Sequence, residues 1–236
     1  MTEAKLAGAP MAALVAAITL AAGPATAADP AHPAVVELFQ SQGCSSCPPA
    51  NANLNAIAGR PDVLALSFAV TYWDQLGWKD GFAQPAFTAR QRDYARAAGR
   101  GNVATPQMIV NGRGAIVGGN PAQLADTIRR LDRPGGGPEI ARAGAQVSIG
   151  AARGGPPATV WLVYYDPRTL AVAVKAGENA GRTLPHRNIV RTLAPVGTWT
   201  GAATRVSIPA PADPVWRGAI LVQAGTGGPI LAAARI

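Results

Sequence analysis

Short apolar runs alternate with helical spacing up to about residue 132, and the alternation then stops. Ala34 to Phe39 reads AVVELF and predicts a short buried strand. A helix is predicted over about 48–58, although Asn51, Asn53 and Asn55 are poor helix formers. Val63 to Val70 (VLALSFAV) is nearly continuous in apolar residues, as parallel strands covered on both faces are. An aromatic loop follows over 71–84. A helix is predicted over 85–98, with Phe87, Gln91, Tyr94 and Ala98 on one face and Arg92, Arg96 and Arg100 along another. Pro106 to Val110 and Arg113 to Val117 read as a hairpin about Asn111-Gly112. Asn120 and Pro121 are an N-cap and a first-turn proline for a helix ending near Leu131. Residues 133–140 (RPGGGPEI) carry no period. Beyond them, strand-like runs at 147–151, 158–165, 170–175, 189–193, 204–208, 219–223 and 229–236 are separated by turn signals with no helical spacing between. The pattern predicts an α/β domain over 33–132, a linker over 133–144 and a smaller all-β, sandwich-like domain over 145–236.

Composition supports this picture and narrows it. Hydrophobic residues make up 48% of the chain and charged residues 14%, which allows a sizeable core and excludes a disordered polyelectrolyte. Lys5 precedes an apolar stretch from Met11 to Ala22, too short for the roughly 20 residues of a membrane span and ending at Ala25-Thr26-Ala27. Residues 1–27 therefore read as a signal peptide, which places the mature chain in the periplasm or outside the cell, where thiols can oxidise. No other segment approaches membrane-span length. The net charge is +8 and mostly arginine. An exported chain with no stacking or zinc module is not expected to bind nucleic acid. The Arg92, Arg96 and Arg100 stripe is a solvated face or a docking surface for an acidic partner. Arg182, His186, Arg187 and Arg191 form a second basic cluster, in which His186 is expected to be structural. No cofactor motif, hydrolase triad or phosphate loop stands out.

The two cysteines, Cys44 and Cys47, fall in one motif, Cys44-Ser45-Ser46-Cys47, between a strand and a helix. A helix N-terminus presents unpaired N–H groups and partial positive charge, which favours a thiolate. Cys44, exposed, would attack a substrate disulfide and Cys47 would resolve the mixed disulfide. Two alternatives stay open. One is a structural disulfide in a redox-inert binding module, although a four-residue loop gives about 2 kcal/mol against about 4.7 for a 100-residue loop. The other is copper(I) held by both thiolates, with Met108 as a further ligand. Trp73, with Asp74 and Trp78, follows the second strand and is placed to wall the motif and contact substrate, or to cover the sheet.

The order strand–CxxC–helix, βαβ, hairpin and final helix resembles thioredoxin-fold proteins. The stretches VVELFQSQGCSSCPPA, TYWDQLGWKDGFAQPAFTARQRDYA, TPQMIVNGR and GRTLPHRNIVR resemble, more narrowly, an uncharacterised family of secreted bacterial proteins with a thioredoxin-like domain. The resemblance implies a thioredoxin-like fold for the first domain. It implies a cis bond at Thr105-Pro106, facing the CxxC and offering its backbone to substrate. It implies a proton relay from Glu37 to Cys47, given a one-residue bulge in the first strand. It implies a thiol–disulfide oxidoreductase whose partners are protein thiols and disulfides and a redox-recycling protein. Pro48-Pro49 departs from the usual thioredoxin pattern and moves the helix start to Cys47.

Overall fold

In the computed structural model the first apolar run forms strand β1 (Ala34–Gln40), buried at every position. The described residues are 1–2, 28–133, 137–153 and 155–236. Residues 3–27 of the expected signal peptide and 134–136 of the expected linker lie outside them. Among the described residues no helix is long and apolar enough to cross a membrane.

Helix α1 (Pro48–Ile57) and strand β2 (Val63–Ala69) follow, and β1 and β2 pair in parallel. A 3-10 helix (Thr71–Leu76) lies inside the aromatic loop, ended by Gly77 at φ 99°. Then come α2 (Pro85–Ala97), the hairpin β3 (Gln107–Val110) and β4 (Gly114–Ile116), and α3 (Pro121–Arg130). The Asn120 side chain accepts from the N–H groups of Ala122 and Gln123, as its capping position predicts. The remaining elements are strands: β5 (Ile140–Ala143), β6 (Gln146–Ile149), β7 (Ala158–Asp166), β8 (Leu170–Ala173), β9 (Thr183–His186), β10 (Ile189–Trp199), β11 (Thr204–Ser207), β12 (Arg217–Ala224) and β13 (Ile230–Arg235).

These strands build one mixed eight-stranded sheet in the order β13-β12-β7-β10-β2-β1-β3-β4, with a three-stranded sheet β11-β6-β5 and the β8-β9 hairpin beside it. The separate sandwich domain expected over 145–236 is corrected here. The later strands are all-β and do stack a small sheet on β7, β12 and β13, but β10 runs parallel to β2 through Ile189 and Ser67 and continues the first half's sheet. The physical reason is burial. β2 is apolar at every position but Ser67, so a partner strand on its free edge satisfies backbone groups that no water could reach. Part of the expected linker is itself strand β5.

Strand alternation sorts the core into faces. Val36 and Leu38 of β1 lie with Ala50 and Leu54 of α1 and with Leu124 and Ile128 of α3. Val35 and Phe39 point the other way, into a core with Phe87 and Tyr94 of α2 that also takes Val163, Leu221 and Ile230 from the later strands. That core is shared by both halves of the chain.

Candidate functional site

Beyond Gln40 the chain leaves the sheet and turns. The N–H of Cys44 donates to the Ser41 carbonyl (3.2 Å) and the N–H of Cys47 to that of Cys44 (3.1 Å). Cys44 and Cys47 are joined by a disulfide, with Cα atoms 5.4 Å apart. Cys47 is the N-cap of α1, and Pro48 and Pro49 fill its first two positions. Proline fits there because those N–H groups have no intrahelical partner. It also deletes two of the donors that would otherwise face a thiolate.

Facing the disulfide is the Thr105-Pro106 bond, which is cis. Ser46 Oγ lies 3.5 Å from the Thr105 carbonyl and 3.3 Å from Cys44 Sγ, so one hydroxyl proton serves either. Trp73 donates its indole N–H to Thr105 Oγ1 at 2.7 Å. The structure thus brings together Cys44, Cys47, Trp73, Thr105 and Pro106. It does not bring Glu37 to them. β1 pairs with β2 at seven successive positions without a shift, so the bulge that the relay required is absent. Glu37 therefore points with Val35 and Phe39 toward α2, away from the α1 face. There Arg90 grips it through Nε (2.8 Å) and Nη2 (2.7 Å), and the Tyr94 hydroxyl donates to it (3.1 Å). Arg90 Nη1 reaches Gln223 on β12 (3.0 Å), so this buried pair ties both halves of the chain. Burial opposes the Arg90 charge, but Glu37 beside it holds the guanidinium's pKa above the ordinary arginine value.

A second correction concerns access. Cys44 is 0% exposed, not the open nucleophile expected. Its backbone is held by the connection between β8 and β9, some 135 residues later in the chain. Asn179 Nδ2 donates to the carbonyls of Gln42 (2.9 Å) and Cys44 (2.8 Å). Asn179 Oδ1 accepts from Arg182 (2.8 Å), so its amide is held one way round. Glu178 accepts the Ser45 N–H (3.0 Å), and that bond keeps its carboxyl below the usual range. Gly177 and Gly181, at φ 75° and 81°, shape this clasp. A Cβ on Gly177 would lie 3.2 Å from Trp78 Cβ, so the clasp also rests on the aromatic loop. Sequence reasoning missed Glu178 and Asn179. Their one signal was the nearby stretch GRTLPHRNIVR, which stood out through family resemblance alone.

The same region explains the helix of asparagines. Asn51 and Asn55, one turn apart on α1, both donate to the Pro185 carbonyl of β9 (2.6 and 2.8 Å), and Asn53 donates to Gly118. What these residues cost in helix propensity is offset by docking the hairpin.

Below the cysteine loop, Asp80 accepts the N–H groups of Gln42 (2.9 Å) and Phe82 (2.9 Å). Burial pushes its pKa up to about 6. His186 stacks edge-on against Phe82, with ring centroids 5.9 Å apart, and neither ring nitrogen has a partner among the described residues. Burial holds its pKa down at about 4. Among the described residues no group of three or more His, Cys, Asp or Glu is arranged to hold a metal ion, and Met108 is buried on β3 in the core beneath α1.

Fold and site together define a mixed α/β protein with a CxxC disulfide at a helix N-terminus, set against a cis-proline and tied to a β-hairpin. The chain belongs to the family described as "Protein of unknown function (DUF1223)", which matches residues 35–223. It is similar to the crystal structure of protein AGR_C_4864 from Agrobacterium tumefaciens, at 34% identity and TM-score 0.73, covering 90% of this chain and 96% of that one. HBP35 of Porphyromonas gingivalis shares the fold at 11% identity and TM-score 0.57, covering 89% of this chain and 76% of that one. No curated protein matches the chain.

Proposed function

We propose that the protein is an exported, thioredoxin-like thiol–disulfide oxidoreductase that acts on protein disulfides. The observation that carries this reading is the Cys44–Cys47 disulfide at the start of α1 with the cis Thr105-Pro106 bond within reach of Ser46. In the reducing direction the Cys44 thiolate attacks one sulfur of a substrate disulfide. A bond forms between Cys44 and that sulfur, and the other substrate sulfur leaves as a thiolate. The Cys47 thiolate then attacks Cys44 Sγ, releases the second substrate thiolate, and closes the protein's own disulfide. Two electrons pass to the substrate, and a dithiol partner protein restores the reduced pair. Oxidation is the same path reversed. Reaction requires the buried Cys44 to be uncovered, and the Glu178–Asn179 clasp bonded to its loop is the segment we propose to move.

With Pro48 and Pro49 removing two backbone donors, Ser46 is the side chain placed to donate to a Cys44 thiolate. The same burial favours one rival, a structural disulfide in a redox-inert binding module. The reduction potential decides between them. A value above about −300 mV, with mixed-disulfide trapping lost in Cys44→Ser and increased in Cys47→Ser, supports the oxidoreductase. A lower potential without trapping supports the structural disulfide.

A further inference from the structure

The arginines of α2 border two adjoining grooves. Arg92 and Arg96 are one turn apart on α2, and Arg100 follows just past its end. Gly99, at φ 68°, reverses the chain so that the Arg100 N–H returns to the Ala95 carbonyl (2.8 Å) and the Gly99 N–H to that of Arg96 (3.0 Å). That closure fixes Arg100 against the last turn, as glycine-ended helices do. All three arginines are exposed. Asp93 pairs with Arg96, but among the described residues neither Arg92 nor Arg100 has an acidic partner.

The three border a groove of about 420 Å³ floored by Ala95, Gly101 and Val103. A second groove, of about 440 Å³, shares Arg100, Asn102 and Val103 with the first and runs on to Ala104 and Pro106. The two grooves adjoin at Arg100, Asn102 and Val103, and the second is lined in part by Pro106 of the cis bond before it continues along β3 and β4 to Gln107 and Ile116. Near Arg92 the Tyr72 hydroxyl bonds to Gln91 (3.2 Å).

Resting on the thiol–disulfide reading above, we infer that these adjoining grooves dock an extended, acidic segment of the substrate polypeptide beside its disulfide. Spacing supports that occupant. Residues one helical turn apart rise by about 5.4–6 Å. Side chains on one side of an extended strand recur every 6.6–6.8 Å or so. A segment with acidic residues at alternate positions therefore offers one carboxylate to each guanidinium.

The test uses oxidised full-length protein and fluorescent peptides of about ten residues without cysteine, one alternating Glu and Ser and one alternating Lys and Ser. Fluorescence anisotropy should show the acidic peptide binding and the basic one not. Binding should weaken about tenfold or more between about 50 and 500 mM salt, as screening shortens. Arg92→Gln/Arg96→Gln/Arg100→Gln should weaken it about tenfold or more, whereas Arg129→Gln/Arg130→Gln on α3 should leave it unchanged. Arg100→Glu alone, at an exposed position, gives the same direction should the triple variant fold poorly. Equal binding of both peptides, no binding, or wild-type binding by the triple variant and Arg100→Glu would overturn the proposal. The readout needs no thiol chemistry. Acidic binding by a protein that exchanges no disulfides sinks the oxidoreductase reading alone, and exchange without acidic preference sinks the docking proposal alone.

Discussion

Mid-strand on β1, Glu37 is buried with a guanidinium on both its oxygens. Five residues on, beyond the strand's end, Gln42 leans on Asp80, which is buried with two backbone N–H donors and no guanidinium within salt-bridge distance among the described residues. The first carboxylate is neutralised by a full opposite charge and joins β1, α2 and β12. The second is held by dipoles and takes up a proton near pH 6. Against Phe82, His186 is buried with neither ring nitrogen bonded among the described residues, and burial holds its pKa down at about 4, so it takes up a proton only below about pH 4. The sheet interior holds charge for architecture. The end of the sheet, beneath the cysteine loop, holds groups that titrate. The acid that sequence reasoning placed beside Cys47 is held by Arg90 on the opposite face of β1.

Breaking the interior pair should have the largest effect. Arg90→Met leaves Glu37 buried and unpaired, and should cost about 3–5 kcal/mol in urea unfolding. Glu37→Leu added to it should recover most of that loss. Glu37→Gln should leave the alkylation rate of reduced Cys44 unchanged; a marked slowing would restore Glu37 as a relay and undo the comparison.

The titrating region is read by pH. Asp80 has a folded pKa raised from 3.8 to about 6, so its contribution to stability is full below about pH 4 and lost as pH rises through 6. His186 has a folded pKa lowered from 6.5 to about 4, so its contribution is full above about pH 6.5 and lost as pH falls through 4. Each spans about 3 kcal/mol, and they oppose one another. Wild-type stability should therefore stay nearly level from pH 4 to 6. Asp80→Asn should make it rise with pH over that window and His186→Phe should make it fall. Two level curves from the single variants would show that neither group titrates as placed.

Smaller effects belong to the clasp and the hydroxyl. Asn179→Ala leaves the Gln42 and Cys44 carbonyls without their donor and should cost about 1–3 kcal/mol. It should also speed reduction of the disulfide by a small dithiol, with no acceleration expected if the clasp does not gate access. Ser46→Ala should slow Cys44 alkylation at neutral pH by about three- to tenfold, the size of one charge-assisted hydrogen bond, and leave stability within about 1 kcal/mol.

Legibility followed contact range. Strands β1 and β2, helices α1 to α3 and the β3-β4 hairpin were readable because period, caps and turn residues are local. Thr105 and Pro106 were expected beside the cysteines only through the resemblance to thioredoxin-fold proteins, and Trp73 through its place after the second strand. Strand β10 was cut short at Leu193 because Pro195 and Gly197 read as breaks, whereas it continues to Trp199 through two register shifts against β7. Strand β9 was missed because Pro185 disrupts its pattern, yet the Pro185 carbonyl is the acceptor that anchors α1. The face of Glu37 turned on the absence of a bulge, which no residue type reveals.

By itself the sequence determined the motif, its place between a strand and a helix, the all-β character of the later half and the arginine stripe. These depend on neighbours within a few residues, where backbone geometry and hydrophobic period decide. The tertiary structure alone decided that both halves share one sheet, that Glu37 serves Arg90 rather than Cys47, and that Asn179 holds the backbone of Cys44. Each of those rests on pairings between residues more than fifty positions apart. Such contacts form only when edge strands need partners and buried polar groups need donors, a demand that the folded backbone sets and local sequence does not encode.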